Sequence, residues 1–268
     1  MCWLTARISG CGERDHLARP GITVATQARE IAQRLFHGIS EPTDDLAPAE
    51  TMRYSPITRK EAPMIYEIRT YQLKAGSLAE VEKRFGEGYE YRKKYSPLAA
   101  FWHTEIGPLN EIVHMWPYTD LAERGRIRAE AVKDPNWPPK IQEFILHMQS
   151  EILVPFPFVQ ELLPGKMGPI FEMRYYTIKA GTLPDLIERW ESKIVERTKL
   201  SPLALAGHVE FGEANRFIHI WAYQSLDHRA AIRTKARETG VWPPPGGAET
   251  LLTQANKILL PSSFSPLQ

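Results

Sequence analysis

The 268-residue chain holds only two cysteines, Cys2 and Cys11, both within its first dozen residues. A disulfide scaffold, thiolate catalysis and cysteine-ligated zinc are thereby excluded for the rest of the chain. No apolar run approaches the roughly 20 residues a membrane-spanning helix needs, and no apolar signal segment stands near the start. A cytoplasmic location without a membrane span is therefore expected. An excess of one charge is missing too: 33 Lys and Arg against 32 Asp and Glu leave a formal charge of +1. The broad positive field on which nucleic-acid binding rests is absent, so no nucleic-acid partner is expected. Gly-rich phosphate loops, nucleophile elbows and zinc spacings are also lacking. What remains is an ordinary globular composition, 43% hydrophobic and 24% charged, which rules out collagen, coiled coil and wholesale disorder.

The chain repeats itself. Sliding it by 105 residues superposes Ile65–Pro139 on Ile170–Pro244 without a gap, and 30 of the 75 positions are identical. Glu67-Ile-Arg69-Thr-Tyr71 recurs as Glu172-Met-Arg174-Tyr-Tyr176, Ser96-Pro-Leu-Ala99 as Ser201-Pro-Leu-Ala204, and Trp137-Pro-Pro139 as Trp242-Pro-Pro244. A period of this length is a duplicated domain, since solenoid units are several-fold shorter. The expected division is an extension over 1–63, a first repeat over 64–164 and a second over 169–268. The extension mixes eight basic with eight acidic side chains and has one short apolar stripe, a helix expected over 23–37. Its Glu13, Asp15 and Glu30 do not suit a mitochondrial transit peptide, which is Arg-rich and poor in acid.

Within each repeat the pattern reads strand, helix, strand, strand, helix, strand. The first strand is expected over Ile65–Leu73 and Ile170–Ile178, ending at an Ala-Gly turn. Ser77-Leu-Ala-Glu80 and Thr182-Leu-Pro-Asp185 look like capping boxes that start a helix, which the Ser-Pro at 96 and 201 should end. A hairpin follows, turned by Gly107–Asn110 and Gly212–Asn215. Two helical stretches are then expected over 120–132 and 140–152, and a last strand over 154–162. This order is the ferredoxin-like split unit. The expected fold class is α+β, with two ferredoxin-like βαββαβ repeats closing one intramolecular barrel.

Alternation along the strands separates two faces. Leu203, Leu205, Val209, Phe211, Ile218, Ile220 and Ala222 form an apolar face, expected to lie under the helices. The opposite face carries His208, Glu210, His219, Trp221 and Tyr223, matched in the first repeat by His103, Glu105, His114, Trp116 and Tyr118. Glu67, Arg69 and Tyr71, with copies Glu172, Arg174 and Tyr176, join it from the first strand. The expectation is that these residues point into the barrel, with the histidines of each repeat directly opposite one another, and line a pocket with titratable walls. The four histidines are candidate acids or bases, because a neutral His beside a carboxylate can move a proton near pH 7. The same residues also suit a satisfied polar core, in which each Glu-Arg pair fixes register. Two histidines and a glutamate at strand spacing match no recognised ligand set, so no metal site is expected. Arg124 and Arg128, repeated as Arg229 and Arg233, read as solvated salt-bridge formers or a subunit contact, with an anion seat as the alternative.

The motifs Met64-Ile-Tyr-Glu-Ile-Arg-Thr-Tyr71, Ser96-Pro-Leu98, His114-Met-Trp-Pro-Tyr118 with Leu121 and Arg124, and Trp137-Pro-Pro139 resemble the NIPSNAP family. The second copy, with Phe171-Glu-Met-Arg-Tyr-Tyr176 and His219-Ile-Trp-Ala-Tyr223, resembles it equally. The resemblance implies a dimeric α/β-barrel fold, shared with cofactor-independent monooxygenases, small cyclases, haem-handling proteins and stress proteins. It also implies links of eukaryotic members to mitochondria, vesicle traffic and mitophagy signalling, but no agreed reaction and so no inherited catalytic residue. Three readings stay open. The first is a protein binding a small hydrophobic or aromatic ligand inside the barrel, with cofactor-free oxygenation, cyclisation or isomerisation as its chemistry. The second is a non-catalytic interaction or scaffold protein, and the third a haem binder with a histidine as axial ligand. Self-association into a homo-oligomer is a further expectation.

Overall fold

A computed structural model describes residues 64–268. The expected extension over 1–63, with its helix over 23–37, lies outside the described residues. The first repeat contains β1 (Ile65–Leu73), α1 (Leu78–Arg92), β2 (Ala100–Ile106), β3 (Glu111–Tyr118), α2 (Leu121–Ala131) and β4 (Ile145–Pro155). The second contains β5 (Ile170–Ile178), α3 (Leu183–Thr198), β6 (Leu203–Phe211), β7 (Arg216–Tyr223), α4 (Leu226–Glu238) and β8 (Leu251–Pro261). The strands close one barrel in the order β1-β3-β2-β8-β5-β7-β6-β4, and every neighbouring pair is antiparallel. The intramolecular α+β barrel is thus the fold. Among the described residues no helix is long and apolar enough to cross a membrane.

Local sequence explains much of this order. The hairpin turns need left-handed backbone at both ends, supplied by Gly107 at φ 124° with Asn110 at 56° and by Gly212 at 141° with Asn215 at 54°. The helices begin where expected, though not through a capping box. Ser77 Oγ and Thr182 Oγ1 turn back to donate to the Lys74 and Lys179 carbonyls instead of accepting from the helix. Side-chain caps occur on the other two helices, where Asp120 accepts from the Glu123 N–H and Ser225 from the His228 N–H.

Two expectations are corrected. The stretch expected as a helix over 140–152 is a single 3₁₀ turn, Gln142–Phe144, followed by β4, and the strand expected over 154–162 ends at Pro155. Leu, Met, Gln and Glu favour a helix in isolation, but β1 is a central strand and needs a second neighbour. β4 supplies it, pairing Tyr66–Leu73 with Ile145–Leu153, and tertiary pairing overrides propensity.

The two sheet faces are the reverse of the expectation. Leu205, Val209, Ile218, Ile220 and Ala222 pack inside the barrel against Ile68, Trp102, Val113 and Met115 of the other repeat. The polar and aromatic face lies outside, beneath the helices, where Trp116 and Tyr118 pack with Val81, Phe85 and Ile127, and Trp221 and Tyr223 with Leu186 and Trp190. The reason is electrostatic. A buried glutamate needs cations within reach, and α1 and α2 supply arginines only to the outer face, whereas closing the barrel lays one apolar sheet on its copy. Leu203 leaves the interior set because a bulge between Leu203 and Leu205 turns it to the Trp221 side.

Where the repeats meet, the duplication has diverged in charge. Glu111 opens β3 and Arg216 opens β7, while Glu151 and Lys257 occupy the seventh position of β4 and of β8. Lys257 Nζ donates to Glu111 Oε2 at 2.6 Å, and Arg216 Nη1 donates to Glu151 Oε1 at 3.0 Å. Both glutamates thus belong to the first repeat and both cations to the second.

Candidate functional site

In each repeat the strand registers assemble the same constellation on the outer face. β1 lies beside β3 with Glu67 opposite Trp116 and Arg69 opposite His114, and β5 lies beside β7 with Glu172 opposite Trp221 and Arg174 opposite His219. Glu67 is fully buried and anchors its side: Arg69 Nη1 donates to it at 2.7 Å, Arg124 Nη2 at 2.6 Å and Ser150 Oγ at 2.9 Å, with Arg128 Nη1 at 3.5 Å. Burial opposes ionisation, but the hydrogen bond from Arg124 and the charges of Arg128 and Arg69 prevail, holding the carboxyl at about 2. Glu172 repeats this with Arg174 at 2.8 Å, Arg229 at 2.5 Å and Asn256 at 2.8 Å. The expectation of solvated salt bridges for Arg124, Arg128, Arg229 and Arg233 is corrected here, because all four reach toward a buried glutamate.

Above each anchor stands a histidine in an aromatic box. The Trp116 indole N–H donates to His114 Nδ1 at 2.7 Å, and the Trp221 indole N–H to His219 Nδ1 at 2.7 Å. An indole nitrogen can only donate, so Nδ1 is the acceptor and the proton of the neutral ring sits on Nε2. Both Nε2 atoms are buried and have no partner among the described residues. Burial, reinforced by Arg69 and by Arg174 respectively, holds both imidazoles well below their ordinary pKa, so they stay neutral. Trp221→Phe removes the donor to Nδ1. The expected outcome is a shift of the His219 ring toward the Nδ1–H tautomer, read from imidazole ¹⁵N shifts, with Trp116→Phe doing the same only at His114.

Two cavities open onto these histidines, between helices and sheet and outside the barrel. Arg69, Tyr71, His114 and Trp116 line the first, of about 230 Å³, with Phe85, Arg92, Trp137 and Ile141. Arg174, Tyr176, His219, Trp221 and Tyr223 line the second, of about 490 Å³, with Trp190, Arg197, Arg233 and Trp242. Glu67, Glu172 and Tyr118 are not on the cavity walls; the glutamates brace the arginines and Tyr118 accepts from Arg92 at 3.3 Å. The difference in size follows from sequence. Where the first repeat has Lys140-Ile141, with Ile141 buried against its cavity, the second has Pro245-Gly246-Gly247.

The remaining expected residues fall elsewhere. His103 pairs across the hairpin with Ile112 and His208 with Phe217, two residues nearer the turn than the rows of His114 and His219. They therefore face neither their expected partners nor either cavity. His103 Nδ1 sits 2.8 Å from Glu82 on α1, and the hydrogen bond it donates to that carboxylate raises its pKa. His208 approaches Glu210 at 3.5 Å, and Glu105 and Glu210 are exposed. Sequence reasoning did not single out Phe85 and Trp190, or Arg92 and Arg197, whose guanidinium carbons lie 4.5 Å and 4.0 Å from the centres of the Trp116 and Trp221 rings. A signal existed for the arginines, which are identical between the two copies.

Haem does not fit this donor set. Ligation through Nε2 needs a lone pair on that nitrogen, and the indole bond to Nδ1 places the proton there instead.

A scan of family descriptions matches one, NIPSNAP, twice, over residues 66–160 and 171–266. Among known relatives, the chain is 28% identical over 235 residues to the human protein NipSnap homolog 3A, covering 83% of this chain and 94% of that one. Among solved structures, it is similar to a NIPSNAP family protein from Agrobacterium tumefaciens, 38% identical, covering 38% of this chain and 96% of that one with a TM-score of 0.36. It also shares its fold with a putative monooxygenase from Fusobacterium nucleatum, 12% identical, covering 75% of this chain and 93% of that one with a TM-score of 0.53. The motifs shared by the two repeats and the double family match agree: this chain belongs to the NIPSNAP family and carries two of its domains in one barrel.

Proposed function

We propose that the chain binds a small, largely aromatic molecule in the cavity of the second repeat, with His219 Nε2–H as the hydrogen-bond donor that orients it. The observation that carries this reading is a neutral, buried imidazole N–H, unpartnered among the described residues, at the wall of a cavity of about 490 Å³ lined by aromatic rings and arginines. That volume lies within the range of small-molecule sites, roughly 300–1,000 Å³. A buried donor left unpaired is costly, and a ligand oxygen is the group that satisfies it.

The chemistry such a site serves is stabilisation of negative charge on a ligand oxygen. Among the described residues no carboxylate lines the cavity, the basic lone pair of the His219 imidazole is held by Trp221, and burial raises the Tyr176 and Tyr223 hydroxyls above their ordinary pKa. The walls therefore supply donors and no general base. A reaction carried here is one in which the ligand arrives already ionised as an enolate or phenolate, and cofactor-free oxygenation of such an anion, with dissolved dioxygen as the oxidant, is the class that fits. The barrel interior, filled by the apolar face, is replaced as the expected location.

A thermal-shift screen of aromatic acids, phenols and quinones tests the reading. Stabilising compounds are expected, and His219→Ala should weaken them by about 0.5–1.5 kcal/mol, one neutral hydrogen bond. Stabilisation that His219→Ala leaves untouched, or none with any compound, contradicts it.

A further inference from the structure

The two cavities are built on the same anchor but differ in the charges around them. In the first repeat Arg84 is occupied: it donates to Glu80 at 2.7 Å, to Glu143 at 2.9 Å and to the Lys140 carbonyl at 2.6 Å, and it does not reach the cavity. Its equivalent, Arg189, lines the second cavity, has no carboxylate within 4 Å among the described residues, and leaves Nη2 buried and unpartnered. Position 132 in the first repeat is Val132; its equivalent in the second is Arg237, an exposed residue that lines the cavity and whose side chain, among the described residues, bonds only the Thr234 hydroxyl.

A third arginine completes the difference. Arg128 reaches Glu67 Oε2 at 3.5 Å, but Arg233 stays 4.0 Å from Glu172 Oε2, which is left without a hydrogen bond. Burial and the neighbouring Arg174 both press against the Arg233 charge. Among the described residues the second cavity thus gathers three incompletely paired guanidinium groups beside an unpartnered imidazole N–H, with no carboxylate on its walls to balance them. Apolar walls from Trp190, Trp221 and Trp242 fill the rest. Guanidinium forks match a carboxylate in two parallel hydrogen bonds, and an apolar surround strengthens the attraction.

We infer that the second cavity takes an organic anion, an aromatic carboxylate, seated on Arg189, Arg233 and Arg237 with its ring between the tryptophans, and that the first cavity does not. This rests on the ligand reading above and adds to it the charge of the ligand and the choice of repeat. Aromatic stacking supplies the apolar share of the binding, and the arginines discriminate the anion from its neutral isostere.

Calorimetric titration of the full chain with 2-naphthoate and with the isosteric, uncharged 2-naphthamide tests it. The carboxylate is expected to bind at least tenfold more tightly, with the gap narrowing as salt screens the arginines. Arg189→Gln and Arg237→Val, the latter installing the residue of the first repeat, should each close much of that gap, whereas Arg84→Gln should leave it intact. All three positions are half-buried or exposed, and a melting curve of each variant is to check that it folds. Equal affinity for acid and amide overturns the anion assignment while leaving the ligand reading in place. A preference for the acid that survives both second-repeat variants also overturns it, because the anion then sits elsewhere. Binding of neither compound removes the ligand reading and this inference together.

Discussion

Replacing Glu67 by alanine is expected to destabilise the chain by about 3 kcal/mol, because it strands three arginines around a site with no carboxylate. Two lines lead to that magnitude. Truncating one partner of a buried ion pair costs about 3–5 kcal/mol, and the partial exposure of Arg124 and Arg128 argues for the lower end. Independently, a carboxyl held at about 2 instead of its ordinary 4.5 contributes about 3 kcal/mol at neutral pH. The sign is fixed by the depressed value: this stability is fully present above pH 4.5 and is lost as pH falls from there toward 2. Denaturant unfolding of the wild type and of Glu67→Ala across that window should therefore converge at the acid end. Because Ser150 and the helix arginines all meet at Glu67, the variant should also loosen α2. A loss below about 1 kcal/mol, or a gap that persists at pH 2, would show that the network is not an anchor.

Lys257→Glu is expected to cost a comparable amount, about 3–5 kcal/mol, by setting two carboxylates together in a buried seam. The double exchange Glu111→Lys with Lys257→Glu should recover most of it, since the pair is then restored with its polarity reversed. The consequence reaches beyond stability. Two first repeats closing a barrel with each other would face Glu111 against Glu151, and two second repeats would face Arg216 against Lys257. The divergence therefore favours pairing the two repeats within one chain over pairing like with like, specificity obtained by repulsion in the wrong assembly. Size-exclusion chromatography of Lys257→Glu beside the exchange variant checks this; a single variant as stable as wild type would contradict it.

The parts of the fold legible in the sequence are those fixed by local chemistry. The strands at Ile65 and Ile170 could be placed to the residue because their alternation ends at a Gly turn, and the hairpins because Gly and Asn mark left-handed backbone. β4 and β8 were not legible: Leu146, Met148 and Gln149 carry helix propensity, and only the need of β1 for a second neighbour makes a strand of them. Alternation separated the two faces but could not say which lies inward. That choice depends on Arg124 and Arg128 coming from a distant helix to meet Glu67, a contact 57 residues away in sequence for Arg124. For the same reason the sequence marks His114 and His219 without their chemistry, which is set by the indole two residues on, and strand parity puts His103 and His208 on the same face although the register sets them two residues apart. The enlargement of the second cavity is written in Pro245-Gly246-Gly247, but its meaning appears only beside Ile141 in the folded first repeat.

The proposed ligand site lies outside the barrel, under the helices of the second repeat. Six of the chain's seven tryptophans fall among the described residues and report on it. Trp102 is in the barrel interior, Trp116 and Trp137 line the first cavity, and Trp190, Trp221 and Trp242 line the second. In an indole ¹H–¹⁵N titration with 2-naphthoate, the signals of Trp190, Trp221 and Trp242 are predicted to move together with saturation, while Trp102 and Trp116 stay still. Saturable movement of Trp102, or equal movement of the first-repeat indoles, would contradict the account.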